Sequence, residues 1–145
     1  MKIQSKNKQG FTLIELLITI SIMGVLATVV TVGFPSAQKL ARDNTRKSDL
    51  KQYQTALENY ASRSSGMLYP SGARNPSTMC STLGITGSCP NDPKAPTYQY
   101  SYAADSSATT YVLWAYMEKT GQYFILCSSG KAGTVAAPRG SNCPL

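Results

Sequence analysis

Apolar side chains are concentrated in one long run near the start of the chain. Residues 11–32 are apolar except for a few hydroxyl side chains, one glycine and a single carboxylate, Glu15. As an α-helix these 22 residues would span about 33 Å, which is enough to cross the hydrocarbon core of a bilayer. Gly33 and Pro35 follow. Because proline cannot donate to a carbonyl one turn back, we expect a kink or local break in the helix there.

After Pro35 the apolar positions recur with helical spacing. They fall at i, i+3, i+7, i+10 and i+11, and are Leu50, Tyr53, Leu57, Tyr60 and Ala61. Residues 36–62 contain neither glycine nor proline, and a Ser-Ser-Gly sequence ends the pattern at Gly66. The pattern predicts one helix of about 50 residues, from residue 11 to about 62. Its first half is apolar on all sides and its second half is amphipathic.

The rest of the chain has the composition of loops and strands. Residues 64–97 are rich in Ser, Gly, Pro and Thr and predict a loop. Three later segments are aromatic and β-branched, and short turn sequences separate them: 97–104 (TYQYSYAA), 110–118 (TYVLWAYME) and 122–129 (QYFILCSS). They predict about three antiparallel strands, one face of which packs on the helical stripe. The fold class is therefore α+β, with a long N-terminal helix, a small sheet and disulfide-pinned loops.

Charge at the start of the chain predicts its orientation. Lys2, Lys6 and Lys8 precede the apolar run without an acidic neighbour, which favours a cytoplasmic N-terminus and an exported remainder. The formal net charge of +7 falls to +4 without residues 1–10. Charge alone therefore gives weak support for nucleic-acid binding.

The four cysteines lie in the segment predicted to be exported, where disulfides are permitted. They are Cys80, Cys89, Cys127 and Cys143, with no C-x-x-C pair among them. We expect two disulfides, and nearest-neighbour pairing, Cys80–Cys89 and Cys127–Cys143, is our hypothesis among three connectivities. The residues 131–145 are then a coil pinned by Cys143. Free buried thiols are the alternative.

Composition argues against an enzyme. The chain contains no histidine, and its seven acidic residues are scattered without a close pair. These features disfavour imidazole acid–base chemistry, serine and cysteine triads, glycosidase carboxylate pairs and most zinc or calcium sites. We predict no catalytic residue, no metal and no cofactor.

Three interpretations of residues 1–35 compete. A cleaved secretory signal has a shorter apolar region, and here the helical pattern resumes directly after the run. A plain signal anchor fits the length and charge but leaves Glu15 unexplained, because a charge inside a bilayer is costly. Glu15 near a helix N-terminus could also simply be tolerated through the helix dipole.

The third interpretation comes from the sequence KQGFTLIELL at residues 8–17. It closely resembles the processing site of type IV prepilins and type II secretion pseudopilins. Residues 41–70 resemble the continuing long helix of that family, and residues 89–102, CPNDPKAPTYQYSY, resemble its loop-to-strand segment. Together these cover most of residues 1–102.

The resemblance implies a cleaved and methylated N-terminus. A prepilin peptidase would cut between Gly10 and Phe11 and methylate the new amine of Phe11. Glu15 would then be the fifth mature residue, one turn from a cationic terminus, and would pair with the amine of a neighbouring subunit or of its own chain. In either case two opposite charges are brought together, each of which would be costly alone in a medium of low dielectric constant.

Three domains follow from this resemblance. Residues 1–10 would be a basic leader that is removed, residues 11–35 a transmembrane and filament-core helix, and residues 36–145 a head outside the cytoplasm. The expected function is a structural subunit of a type IV pilus for adhesion, motility or DNA uptake. Its expected partners are copies of itself, the prepilin peptidase, the inner-membrane assembly platform and minor pilins. It would be a single-pass membrane protein before assembly and part of a surface filament afterwards.

Two departures from the family pattern matter. Pro35 and Gly33 lie later than the proline of many pilins, so any stretch that melts on assembly would shift outward. Major pseudopilins carry an acid-rich calcium-binding loop after the last strand, whereas residues 128–133 here contain one lysine and no acid. The missing acids and the disulfides favour a pilus subunit over the alternative, a type II secretion pseudopilin.

A second alternative is a membrane-anchored module that binds DNA or anionic lipid. Its candidate surface is a basic face on the second half of the helix: Lys39, Arg42, Arg46, Lys47 and Lys51. Such a run of charge is more typical of a solvated helix face or a subunit contact, and DNA is the weaker candidate partner.

Overall fold

A computed structural model describes residues 10–138 and 140–145, and the predicted basic leader therefore lies almost wholly outside the described residues. The chain forms two compact units, one ending at Ala37 and the other beginning at Gln38. The elements in chain order are helix α1 (Leu13–Arg63), strand β1 (Ala73–Arg74), a 3₁₀ helix (Pro76–Met79), helix α2 (Cys80–Leu83), and strands β2 (Ser101–Ala104), β3 (Tyr111–Met117), β4 (Gln122–Cys127) and β5 (Ala132–Val135).

In the first unit, α1 exposes apolar side chains. Fourteen large apolar residues between Phe11 and Phe34 are each at least half exposed. The segment Leu13–Val30 is long and apolar enough to cross a membrane. The break predicted at Gly33 and Pro35 is not present here, because α1 runs through both residues without interruption. A proline inside a helix removes one hydrogen bond of the ladder, and the turns on either side keep theirs.

The second unit contains one antiparallel sheet in the order β1-β2-β3-β4-β5. Its centre is the β3–β4 hairpin, in which Leu113 is opposite Leu126 and Trp114 is opposite Ile125. Side chains alternate between the two faces of a strand, so residues 111, 113, 115 and 117 share one face of β3. The sequence predicted about three strands and the structure has five. The α+β class is confirmed.

The two additional strands lie at the edges of the sheet. Strand β1 has two residues and pairs with β2, and β5 has four and pairs with β4. Strand β1 is Ala-Arg and β5 is Ala-Gly-Thr-Val, so neither is long enough to show the alternating pattern of a predicted strand. Their pairing with neighbouring strands decides their conformation. The predicted 64–97 loop also contains the short 3₁₀ helix and α2.

The main core lies between α1 and one face of the sheet. Leu50, Tyr53 and Leu57 of α1 are fully buried, and Tyr60 packs against the same cluster. Opposite them are buried sheet residues, chiefly Tyr102, Tyr111, Leu113, Ala115, Met117 and Leu126. The predicted packing of the helical stripe on the sheet is confirmed, as is the helix end near residue 62.

The other face of the sheet carries a smaller core. Val112, Ile125 and Cys127 are buried there, with Trp114 and Cys143 packed against them. The C-terminal residue also approaches the sheet: a Cβ atom on Gly133 would lie 2.8 Å from Leu145 Cδ2, so a larger residue at position 133 would have to displace the Leu145 side chain. The segment after β5 thus covers a face that would otherwise be open to water.

Two disulfides pin the loops. Cys80 is bonded to Cys89, and Cys127 at the end of β4 is bonded to Cys143. This is the nearest-neighbour pairing proposed from the sequence. The first bond holds the segment between α2 and β2, and the second holds the C-terminal segment against the small core.

Candidate functional site

The residues of the predicted processing site lie at the start of α1. Gly10, Phe11 and Thr12 are not helical, and all three are exposed. Phe11 is 87% exposed. The peptide bond between Gly10 and Phe11 therefore lies in an accessible, non-helical segment just before the first helical residue, Leu13.

Glu15 caps the N-terminus of α1. Its Oε2 atom accepts a hydrogen bond from the backbone N–H of Thr12 at 3.0 Å and from the Thr12 hydroxyl at 2.8 Å. In return the backbone N–H of Glu15 donates to Thr12 Oγ1 at 3.3 Å. This reciprocal pair is a capping box, which satisfies backbone donors that a helix start leaves free.

The capping box was missed in the sequence although its signal is present there. Thr12 and Glu15 have the spacing T-x-x-E ahead of an apolar run, which typifies this motif. Sequence reasoning assigned Glu15 a charged partner, the amine of Phe11, whereas in this structure its carboxylate binds Thr12. The carboxylate thus already has partners within its own chain.

The apolar side chains of the first unit are largely exposed in a single chain. No residue of Leu13–Val30 is buried within the chain. Apolar surface of this extent is unfavourable in water, at about 25 cal/mol per Å². Soluble proteins seldom expose continuous patches of more than a few hundred Å². This segment is therefore long and apolar enough to be covered by lipid or by other apolar helices.

The second unit contains a buried cluster of ion pairs centred on Arg46. The Arg46 side chain has no exposed surface. Its Nε and Nη2 atoms donate to the two carboxylate oxygens of Asp92 at 2.7 and 2.9 Å. Its Nη1 atom donates to Asp43 at 2.9 Å, and Nη2 lies 2.8 Å from Glu118 Oε1. Three carboxylates from α1, the loop before β2 and the end of β3 thus meet at one guanidinium.

Further charges extend this cluster to the surface. Arg42 donates to both oxygens of Glu118, at 2.8 and 2.7 Å, and Lys94 Nζ lies 3.0 Å from Glu118 Oε2. Asp43 accepts the backbone N–H groups of Glu118 and Lys119, both at 2.9 Å, and so fixes the turn between β3 and β4 to α1. The cluster ties three distant parts of the chain together.

The electrostatics of the cluster follow from these contacts. The hydrogen bonds from Arg42 hold the pKa of Glu118 well below its ordinary value; burial opposes this effect, and Lys94 and Arg46 reinforce it. Burial works to lower the pKa of Arg46, and its hydrogen bonds to Asp92 and Glu118 outweigh that effect and raise it. Glu118 and Arg46 therefore remain charged at neutral pH.

The predicted basic face is not a single exposed surface. Arg46 is fully buried and Arg42 is largely engaged with Glu118. Lys47 Nζ lies 5.4 Å from the centre of the Phe124 ring, a cation–π contact. Lys39 and Lys51 are exposed. The solvated-face interpretation is wrong for the two arginines, because the sequence shows which side of a helix they share but not the carboxylates packed against it.

The other predicted site residues are distributed as the sequence order implies. Gly10, Phe11 and Glu15 lie together at the helix start, Gly33 and Pro35 lie inside α1, and the cysteines form the two disulfides. Among the described residues, no group of three or more Cys, Asp or Glu side chains is arranged to hold a metal ion.

Comparison with known proteins finds a similarity at the start of the chain. Residues 5–31 match the family model described as the prokaryotic N-terminal methylation motif. This match supports a type IV pilin or pseudopilin family for the chain.

One relative is type II secretion system core protein G of Pseudomonas aeruginosa, which is 34% identical over 68 residues. The aligned region covers 47% of this chain and 46% of the relative, so the match spans about half the length of each. No solved structure matches the chain. The chain is thus similar in sequence to a pseudopilin over about half of its length.

Proposed function

We propose that this chain is the major or near-major structural subunit of a type IV pilus, a surface filament used for adhesion, twitching motility or DNA uptake. Before assembly the subunit is held in the cytoplasmic membrane by residues 11–35, with residues 36–145 outside. On assembly it leaves the lipid and joins a helical filament with other copies. Minor pilins and an inner-membrane platform assist this step.

The exposed apolar surface of α1 is the observation that carries this proposal. Fourteen large apolar residues between Phe11 and Phe34 are at least half exposed, and only two environments cover such a surface. A bilayer covers it in the waiting subunit, and the α1 helices of neighbouring copies cover it in a filament. Burial of that surface supplies the driving force for a filament core.

Processing creates the cationic amine with which the Glu15 carboxylate can pair. Cleavage between Gly10 and Phe11 by a prepilin peptidase exposes an α-amine, which is largely cationic near neutral pH, and N-methylation keeps it basic. We infer that Glu15 then exchanges its Thr12 hydrogen bonds for this amine on a neighbouring subunit. Two charges in an apolar core must be paired, so the pairing sets the axial register of each subunit.

A second candidate function is a pseudopilin of a type II secretion system, and the match to core protein G favours it. The C-terminal region favours the pilus. Residues 128–145 contain no acidic side chain for a calcium site, and the bond between Cys127 and Cys143 holds this segment instead. Electron microscopy of cells with and without the chain separates the two functions, because a pilus subunit is required for long surface appendages.

The Glu15→Ala variant tests the assembly mechanism. Processing and membrane insertion should proceed, since Gly10, Phe11 and the apolar run are unchanged, while the yield of filaments falls at least tenfold. The measurement is sheared-filament yield together with the intact mass of the membrane-held subunit.

Thr19→Ala is the matched control for this variant. It also replaces a polar residue in the apolar run, but the Thr19 hydroxyl only donates to the carbonyl of Leu16 in its own helix. Thr19→Ala filaments should form normally. Glu15→Ala filaments of normal yield and length would refute the pairing model.

A further inference from the structure

In the second unit, the acidic side chains have partners within the chain, whereas several of the described basic side chains do not. Residues 36–145 carry eleven basic and six acidic side chains, a formal charge of +5. Each of the six carboxylates accepts at least one hydrogen bond within the chain, and the donors are chiefly arginines, tyrosine hydroxyls, serine and threonine hydroxyls and backbone amides. In contrast, several exposed ammonium groups have no ion-pair partner among the described residues, Lys39 and Lys51 among them. The surface is therefore suited to anionic partners.

Several lysine and tyrosine side chains that can donate hydrogen bonds line one small pocket. It has a volume of about 260 Å³ and is lined by Lys39, Lys94, Tyr98, Tyr116 and Glu118. The Tyr98 and Tyr116 rings are stacked, with their centroids 5.0 Å apart and an interplanar angle of 18°. The Arg46 guanidinium lies 5.6 Å from the centre of the Tyr98 ring, so buried charge and packing hold the stack in place.

The polar groups of this pocket match an anion rather than a cation. The Lys39 ammonium and the hydroxyls of Tyr98 and Tyr116 make no hydrogen bond within the part of the chain that the structure describes. Glu118 is the one carboxylate in the lining, and its oxygens already accept hydrogen bonds from Arg42. A group with several acceptor oxygens, such as a phosphate, can accept from the ammonium and from both hydroxyls at once.

Chain connectivity limits the distance between Lys39 and the apolar run, and so limits which anions Lys39 can meet. Lys39 follows Phe34, the last large apolar residue of the exposed run, by five residues. Five residues span at most about 18 Å when fully extended, whatever the orientation of the second unit. A lysine side chain adds reach of its own and readily extends into the headgroup layer. When residues 11–35 cross a bilayer, Lys39 is thus within reach of lipid headgroups.

We propose that Lys39, Tyr98 and Tyr116, in the pocket that Lys94 also lines, bind the phosphate of a phospholipid headgroup in the outer leaflet of the membrane that holds the subunit. This inference rests on the proposed function in one respect, namely that the subunit waits in a membrane before assembly. The contact would hold the second unit at the membrane surface and would be released when the subunit enters a filament.

The test measures lipid binding by the full chain in detergent micelles. The chain is titrated with dioleoylphosphatidylglycerol, and native mass spectrometry counts the bound lipids. Dioleoylglycerol, which has the same tails without the phosphate, reports binding to the apolar helix alone. Separate titrations with inorganic phosphate and with a single-stranded oligonucleotide distinguish other sources of phosphate.

Two variants remove donors without removing packing. Lys39→Gln and the double variant Tyr98→Phe/Tyr116→Phe should each weaken phosphatidylglycerol binding about tenfold, since each removes hydrogen bonds to a charged group. Lys51→Gln and Tyr123→Phe are the matched controls. Lys51 is another exposed lysine of α1, and Tyr123 contacts the Tyr116 ring without lining the pocket. Both controls should bind like the wild type.

The proposal is overturned if the Lys39 and tyrosine variants bind phosphatidylglycerol like the wild type, or if dioleoylglycerol binds as tightly. Binding of inorganic phosphate or of the oligonucleotide at least as tight as that of the lipid, and lost in the same variants, overturns the lipid source. Trp114 fluorescence confirms that each variant is folded. Filament formation is not needed for this measurement, so failure of the pilus function and failure of the lipid site are distinguishable.

Discussion

Arg46 has no exposed side-chain surface and contacts carboxylates from three separate parts of the chain. Burying these charges is costly, and only their mutual pairing offsets the cost. Asp92, which is also without exposed side-chain surface, depends on Arg46 for its charged partner. Loss of either residue would leave an uncompensated charge in the interior.

Replacing Arg46 with Met should therefore lower the free energy of unfolding of the second unit by about 3–5 kcal/mol. Methionine keeps the unbranched apolar stem and removes the guanidinium. Urea unfolding of the full chain in detergent, followed by the fluorescence of Trp114, measures the change. The control Lys51→Met removes an exposed lysine of the same helix, and its effect should stay within about 0.5 kcal/mol.

The lowered pKa of Glu118 predicts how the free energy of unfolding depends on pH. Its pKa is held below the ordinary value of 4.5, chiefly by the Arg42 hydrogen bonds. The stabilisation is therefore present above pH 4.5 and is lost as pH falls below that value, when the unfolded state takes up the proton first. In Glu118→Gln the free energy of unfolding should be lower at neutral pH and should fall less steeply in acid.

Urea unfolding at a series of pH values between neutrality and about pH 3 measures this slope. Lys51→Gln, which replaces an exposed lysine of α1, should follow the wild type throughout. Equal acid slopes for wild type and Glu118→Gln would show that Glu118 does not contribute to the acid dependence.

At the scale of elements, the two disulfides hold different faces of the second unit. Cys127–Cys143 fixes the C-terminal segment over the small core that includes Trp114, whereas Cys80 and Cys89 pack against the main core. Each bond closes a loop of between nine and sixteen residues. The chain-entropy model assigns about 3 kcal/mol to a loop of this size.

Replacing both cysteines of one disulfide with serine gives two double variants. The fluorescence emission of Trp114 should distinguish them. Removal of Cys127 and Cys143 should destabilise the unit by about 3 kcal/mol and shift the Trp114 emission to longer wavelength, because water reaches the small core. Removal of Cys80 and Cys89 should have a similar cost and leave the emission unchanged. An unshifted emission in the first variant would mean that other contacts keep the C-terminal segment in place.

Local sequence specifies helix α1 but does not specify the two edge strands of the sheet. The helix was predicted to within about two residues at each end, since its apolar spacing and its terminating Ser-Ser-Gly are local signals. Strands β1 and β5 were not predicted, because segments of two and four residues are too short to show an alternating pattern and become strands only beside a partner. Pro35 likewise predicted a break, and the flanking helical turns kept α1 continuous.

At the scale of the whole molecule, the proposed function requires cleavage between Gly10 and Phe11 before the subunit leaves the membrane. Gly10→Lys should leave the leader attached, because a long charged side chain replaces the small residue expected before the cut. Intact mass of the membrane fraction would then match the full chain. Gly10→Ala, a mild change, should still yield a chain beginning at Phe11. A normal mature mass for Gly10→Lys would contradict the proposed cleavage.

The sequence by itself determined the features that depend on neighbours along the chain. These include the apolar run, the amphipathic half of α1 and the methylation motif around Gly10 and Phe11, whereas the cysteine pairing was one hypothesis among three. Helical periodicity, capping and short loop closure all act over a few to about sixteen residues, so their signals can be read directly.

Only the tertiary structure decided which charges are buried and which remain exposed. Arg46 meets Asp92 across 46 positions and Asp43 meets the Glu118 backbone across 75, and no local pattern encodes such contacts. The same packing brings Lys39, Lys94 and the two stacked tyrosines to one pocket. A charged side chain changes its pKa, exposure and role according to what packs against it, and that depends on the fold rather than on the order of residues.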